Sequence, residues 1–251
     1  MKKIQVVFIV LAVLAFGGGI LLSRSPVRQR VATGLQAMSE KKTTADRVAE
    51  FGGAVRARLA PAFVQAGITW PPAKLALIGI KEDRRLEAWV AGPDGQWKLL
   101  KSYPILGMSG ELGPKLRQGD RQVPEGLYKV ESLNPNSLYH LALRVNYPNA
   151  EDQRQGLVDG RTALGSDIMI HGNTCSIGCL AMGDPAAEEL FVLAAQTADP
   201  EIPIILTPID FRKPARPATQ PTQPPWLMER YGEIKKAIAN YGGTKAQGTR
   251  H

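Results

Sequence analysis

The sequence predicts a mainly β domain with flanking helices, and three observations carry that expectation. Between residues 73 and 210 short apolar stretches alternate with Gly- and Pro-rich turns, the punctuation of a sandwich or barrel of short strands. On either side of that region apolar residues recur at helical spacing instead. At the start, Lys2 and Lys3 precede an almost charge-free run over residues 4–22, so a transmembrane or signal helix is expected ahead of the β domain.

That first run is close to the roughly 20 apolar residues a helix needs to cross a bilayer. No small-x-small cleavage site stands out before Ser23, and no Cys follows as a lipid anchor. An uncleaved signal-anchor is therefore the first expectation for residues 1–24 and a cleaved signal peptide the second; both mean export. The positive-inside rule keeps Lys2 and Lys3 in the cytoplasm, against the opposing pull of Arg24, Arg28 and Arg30. Residues 25–43 are polar, basic and aperiodic, and read as a linker. From 44 to 65 Val48, Phe51, Val55, Leu59 and Phe63 share one helical face, with Thr44 or Asp46 as cap and Gly52, Gly53 and Pro61 as weak points. Linker and helix together fill 25–72.

Within 73–210, Leu75-Ala76-Leu77-Ile78-Gly79-Ile80 and Leu86-Glu87-Ala88-Trp89-Val90 flank a charged turn and predict a hairpin. Strands are also expected at 97–100, 126–131 and 138–146, and Ile168-Met169-Ile170 leads into His171. Asp184 followed by Pro185 reads as an N-cap and first helical position for a helix running to Gln196. A closing strand is expected at 202–206. In the remaining segment, 211–251, a Pro-rich stretch at 213–225 precedes a final helix with Leu227, Tyr231, Ile234 and Ile238 on one face, then a basic tail.

The net charge of +8 favours anionic surfaces. No zinc-finger spacing, aromatic-basic strand pair or basic helix supports a nucleic-acid partner, so wall polymer or lipid headgroups are expected instead. Two cysteines exclude a disulfide framework, and three scattered histidines predict no metal site or cofactor.

One of the three histidines and both cysteines fall in one stretch, Ile170-His171-Gly172-Asn173-Thr174-Cys175-Ser176-Ile177-Gly178-Cys179. A thiol is a nucleophile only as thiolate, and a neighbouring imidazole is the common means of making it one near neutral pH. Small residues beside it let a substrate carbonyl approach backbone N–H groups. Two blander readings stand beside this one: a buried structural cysteine, or a Cys175–Cys179 disulfide.

The stretch resembles the signature of the YkuD-type L,D-transpeptidase catalytic domain, a His-Gly followed by Ser-x-Gly-Cys. It is most similar to the YafK-like branch, in which the two halves lie close together and Ala-Met follows the Cys. Gly126-Leu127-Tyr128 behind Val123-Pro124-Glu125 resembles that domain's hairpin-leading element, and Asn146-Tyr147-Pro148-Asn149 and Gly165-Ser166-Asp167-Ile168 add two further matches. Two departures appear: Ile177 and Ala181 stand where the wider family has a second His and a substrate-anchoring Arg.

The resemblance implies a YkuD-like β-sandwich or barrel core and a cell-wall enzyme of the bacterial periplasm. It implies Cys179 as nucleophile and His171 as base, with Gly178 allowing an oxyanion hole and Ser176 orienting His171 or lining that hole; the plainer alternative for Ser176 is a turn hydroxyl bonded to its own backbone. His140, Arg144, Tyr147 and Gly172 are the expected substrate-binding residues. The substrate implied is a peptidoglycan stem tetrapeptide, joined to another stem or to a wall-attached protein or amine, with roles in wall biogenesis, degradation and cell shape. Two alternatives stay open: a periplasmic amidase or carboxypeptidase that passes the same acyl-enzyme to water, and a membrane-tethered wall-binding module with a degenerate site.

Overall fold

The charged turn at Glu82 does close a hairpin. β1 (Lys74–Ile80) and β2 (Arg85–Ala91) pair antiparallel with Ile80 opposite Arg85. Both strands are buried on both faces, which is why they read as nearly continuous apolar runs. The structure is a computed structural model and describes residues 41–214 and 224–242. The expected anchor or signal helix, nearly all of the linker, most of the Pro-rich stretch and the tail with His251 lie outside the described residues. Among the described residues no helix is long and apolar enough to cross a membrane.

The other strands are β3 (Trp97–Pro104), β4 (Gly126–Ser137), β5 (His140–Val145), β6 (Met169–His171), β7 (Leu180–Ala181) and β8 (Pro203–Thr207). They form one eight-stranded sheet in the order β3-β2-β1-β8-β4-β5-β6-β7. One expectation is corrected here. The segment expected to close the domain is central: β8 runs parallel to β1 and antiparallel to β4. Of the sandwich and barrel alternatives the structure takes the barrel-like one, a single sheet that curls into a half-barrel. Its far ends meet where the chain leaving β3 bridges to β7, with Ala181 N–H donating to the Gly107 carbonyl at 2.9 Å and Gly107 N–H to that of Ala181 at 3.1 Å. Gly107 is required there, because a Cβ would overlap the Thr174 carbonyl.

Curling puts Leu75, Leu77 and Leu86 from one half against Leu141, Leu143, Ile170 and Leu180 from the other, in one buried core. Each fully buried leucine contributes about 1.5–3 kcal/mol. The outer face of β1, β2 and β8 is covered by α4 (Leu227–Ile238), whose Ile234 and Ile238 pack on Ala76, Ile78, Trp89 and Ile205. The C-terminal helix is thus packed on the sheet.

α1 (Thr44–Ala66) buries Val55, Leu59 and Phe63 and runs uninterrupted through Pro61. Its cap lies one residue before the expected pair: Thr43 takes the N-cap and closes a capping box with Asp46. α2 (Ala150–Val158) was not legible from apolar periodicity. It starts at a second capping box, Asn149 with Asp152. α3 (Asp184–Gln196) corrects the predicted cap, since Gly183 at φ 78° is the N-cap and Asp184 the first helical residue. That shift leaves the Asp184 carboxylate to serve the neighbouring loop.

Candidate active site

Parallel pairing of β6 with β7 sets Ile170 opposite Leu180 and His171 opposite Ala181. Ile170 and Leu180 both face the core without exposure. Strand alternation therefore turns His171 to the opposite face, and Cys179 is the residue that leads into β7, directly before Leu180.

The loop between them is pinned at four points. Asp184 Oδ1 accepts the Asn173 N–H at 2.7 Å, and Gly183 N–H donates to the Asn173 carbonyl at 2.8 Å. Gly178, at φ 92°, donates its N–H to Ser109 Oγ at 2.7 Å, and Ser109 Oγ donates to the Arg121 carbonyl at 2.8 Å. Ser176 Oγ accepts the Cys179 N–H at 3.0 Å and donates to the Cys179 carbonyl at 2.6 Å. The predicted turn is present, but its N–H groups at 178 and 179 are held by hydroxyls. Neither is an open oxyanion donor in this structure, and Ser176 braces Cys179 instead of orienting His171.

His171 is 2% exposed, and its Nδ1 lies 2.6 Å from the Gly172 carbonyl. A carbonyl only accepts, so Nδ1 carries the hydrogen and the lone pair sits on Nε2. Burial pushes the imidazole below its ordinary value, with the Gly172 bond opposing. Cys179 donates to the Asp167 carbonyl at 3.5 Å. Burial pushes its thiol up and the Asp167 carboxylate adds to this, while the Met169 N–H and the Lys115 ammonium oppose it. Burial thus favours the neutral form of both groups, the free-base imidazole and the protonated thiol.

Alkylation of Cys179 by iodoacetamide should accordingly rise in two steps with pH. The lower step reports loss of the His171 proton below 6.5, and the upper reports thiol ionisation above 9.0. The Cys179 peptide must be followed by mass spectrometry, because Cys175 is also a free thiol and is exposed. A single acid-range step, the mark of a preformed thiolate–imidazolium pair, would contradict the neutral pair. With both thiols free, no Cys175–Cys179 bond is present.

The expected binding residues divide. Gly172 is in the site: its N–H donates to the Leu141 carbonyl at 3.1 Å, and a Cβ would come within 2.5 Å of Asp184 Oδ1. Arg144, opposite Met169, is near the thiol through Asp167. It donates to Asp167 at 2.5 Å and Glu131 at 2.6 Å, so it would have to exchange a partner to hold a substrate carboxylate. His140 lies beside Gly172, but Nε2 is 3.2 Å from Glu188 and the ring stands edge-on to Phe51 at 5.3 Å. Tyr147 is buried, donating its hydroxyl to the Leu164 carbonyl at 3.1 Å, and is corrected from binding to packing.

Four residues escaped the sequence reading: Ser109, Asp167 as a thiol acceptor, Asp184 as a loop anchor, and Tyr139. The Tyr139 ring lies 4.7 Å from that of His171, tilted by 31°. Asp167 alone carried a signal, lying within the quoted Gly-Ser-Asp-Ile match.

The model of the YkuD family, the L,D-transpeptidase catalytic domain, matches residues 78–241. YafK of Escherichia coli is 43% identical over 113 residues, 44% of this chain and 43% of YafK. The chain therefore spans less than half the length of the curated relatives it matches. Among solved structures, the helical cell shape determining protein Pgp2 of Campylobacter jejuni is 20% identical at a TM-score of 0.41, over 60% of this chain and 55% of that one. Bdellovibrio bacteriovorus Bd1075 is also 20% identical, at a TM-score of 0.39, over 68% and 57%. Those two likenesses are too weak to carry an argument.

Proposed function

This chain belongs to the YkuD family of L,D-transpeptidase catalytic domains, and we propose from that premise that it is a peptidoglycan-modifying cysteine acyltransferase with Cys179 as nucleophile. The observation that carries the reading is the tautomer of His171. Its Nδ1–H is committed to the Gly172 carbonyl, so Nε2 is the basic nitrogen, on a strand that pairs with β7 directly after Cys179.

In this mechanism Nε2 takes the thiol proton as Sγ adds to the carbonyl between the third and fourth residues of a stem tetrapeptide. The tetrahedral adduct collapses, the C–N bond breaks, and the imidazolium returns the proton to the departing D-Ala amine. A thioester on Cys179 remains. An acceptor amine then adds to it with Nε2 taking the amine proton, and the thiol leaves with that proton, giving a new amide. Donation from Nδ1–H to Gly172 stabilises the imidazolium in both halves, as the third member of a catalytic triad does. Oxyanion stabilisation by Gly178 or Cys179 N–H requires their hydroxyl partners to be displaced as the adduct forms.

Stem peptides lie outside the cytoplasmic membrane, and the apolar run at 4–22 supports export or anchoring there. The test is mass analysis of tetrapeptide muropeptides incubated with wild type and with Cys179→Ala. New cross-linked dimers or exchanged terminal residues, absent with the variant, are expected. Tripeptides without new cross-links would make the enzyme a hydrolase. Identical products from both proteins would remove Cys179 from the chemistry.

A further inference from the structure

We propose that Tyr139, at the tip of the β4–β5 hairpin, is a positioning residue that fixes the plane of the His171 ring and shields it from water. The proposal rests on the assignment of His171 as base. His171 is 2% exposed while Tyr139, its ring 4.7 Å away at a tilt of 31°, is 44% exposed. Between that face of the imidazole and solvent, the tyrosine ring is thus the outer layer.

The tip that presents Tyr139 is built to stay in place. Ser137 pairs with His140 across it, and Tyr139 N–H donates to Ser137 Oγ at 3.1 Å. His140 takes the left-handed conformation, φ 72°, that turns the chain into β5. The His140 ring is clipped on one side to Glu188 of α3, which Arg58 of α1 holds at 2.8 Å, and on the other to Phe51 of α1. α1 also reaches β4 directly, through Arg47 Nε to the Pro135 carbonyl at 2.9 Å. On the far side, the Tyr139 carbonyl would lie 2.8 Å from a Cβ at Gly172, so the tip seats on the residue that accepts the His171 Nδ1 bond. α1, without chemistry of its own, therefore braces the hairpin that covers the base.

An imidazole packed against an aromatic ring loses rotational freedom, which fixes the direction of Nε2. Water exclusion favours the free base over the imidazolium. The titratable groups next to the His171-Gly172 pair are His140 on the hairpin and Asp184 on α3, both beside Gly172, with Cys179 leading into the paired strand β7. Tyr139 adds no charge among them, so its effect is cover and alignment.

The experiment compares wild type, Tyr139→Ala, Tyr139→Phe and His171→Ala. It measures the pH profile of Cys179 alkylation and, on tetrapeptide muropeptides, kcat and KM separately. For Tyr139→Ala the lower inflection should move up toward the ordinary imidazole value, with kcat down about tenfold and KM little changed. Tyr139→Phe, which keeps the ring and drops only the hydroxyl, should restore the wild-type inflection. An unmoved lower inflection in Tyr139→Ala, in a protein whose circular dichroism and Tm match wild type, would overturn the proposal. If Tyr139→Ala does not fold, a Tyr139→Phe profile displaced from wild type overturns it. His171→Ala separates the two readings: loss of the lower inflection upholds His171 as base whatever Tyr139 does, and an unchanged profile refutes the base assignment itself.

Discussion

Replacing His171 with Gln is expected to lower kcat on a tetrapeptide muropeptide by about a thousandfold, within the range that general-base catalysis supplies. The size follows from the state of the thiol. Cys179 is half-buried, and burial pushes its thiol above the ordinary value, so little thiolate forms unaided near neutral pH. The Lys115 ammonium and the Met169 N–H favour the thiolate, but they do not outweigh burial. Proton transfer to Nε2 during attack is the remaining route. A Gln side chain is polar and of similar length, yet has no basic nitrogen. KM should hardly change, because His171 is covered and makes its contribution in the transition state. The lower inflection of the alkylation profile should vanish together with kcat. A loss smaller than tenfold, in a variant that still needs Cys179, would assign the base elsewhere.

How much of this was legible in the sequence depends on how far the chain travels between partners. His171 and Cys179 are joined by one short loop, so their spacing alone announced a site. The positive φ at Gly178 and the crowding at Gly172 leave glycines that can be read directly. β1 and β2 were readable because a tight charged turn sets their register locally. The place of β8 was not, since its partners β1 and β4 are distant in sequence and apolar strands do not name their neighbours. β7, two residues long, is below any periodicity. Tyr147 sits in a motif match that suggests a binding group, yet its hydroxyl reaches carbonyls of Lys115 and Leu164 that only the folded chain brings near. Tyr139 shows the opposite case: the strand expected from residue 138 begins only after a turn at 138–139 and a left-handed His140. That break in period is what delivers the ring to His171.

Glu125→Gln is expected to cost about 3–5 kcal/mol of stability, the range for removing one partner of a buried ion pair. Lys81 and Glu125 have side chains 1% and 0% exposed and lie 2.9 Å apart. The ammonium also donates to the Gly113 carbonyl at 2.8 Å and the Val123 carbonyl at 3.1 Å, so all three donors are used. Glu125 in turn accepts from the Gly113 N–H at 2.8 Å and the Tyr231 hydroxyl at 2.6 Å, tying α4 to the same point. Gln keeps the shape and an acceptor, so the substitution removes mainly charge. Burial already holds Lys81 below its ordinary value while Glu125 opposes the fall; without the carboxylate it drops further. Below its folded-state value Lys81 is protonated in both states; between that value and 10.5 the unfolded chain holds the extra proton. Stability therefore rises with pH through that window, and the variant's window opens at lower pH than that of wild type. Urea unfolding at several pH values should show the deficit shrinking as pH rises. The same pair fixes both ends of the segment from Gly113 to Val123, and Arg121 within it accepts the Ser109 hydroxyl that holds Gly178. Loosening it should also reach the nucleophile, seen as faster Cys179 alkylation before global unfolding. An unfolding midpoint equal to wild type at neutral pH would show that the charge pair is dispensable.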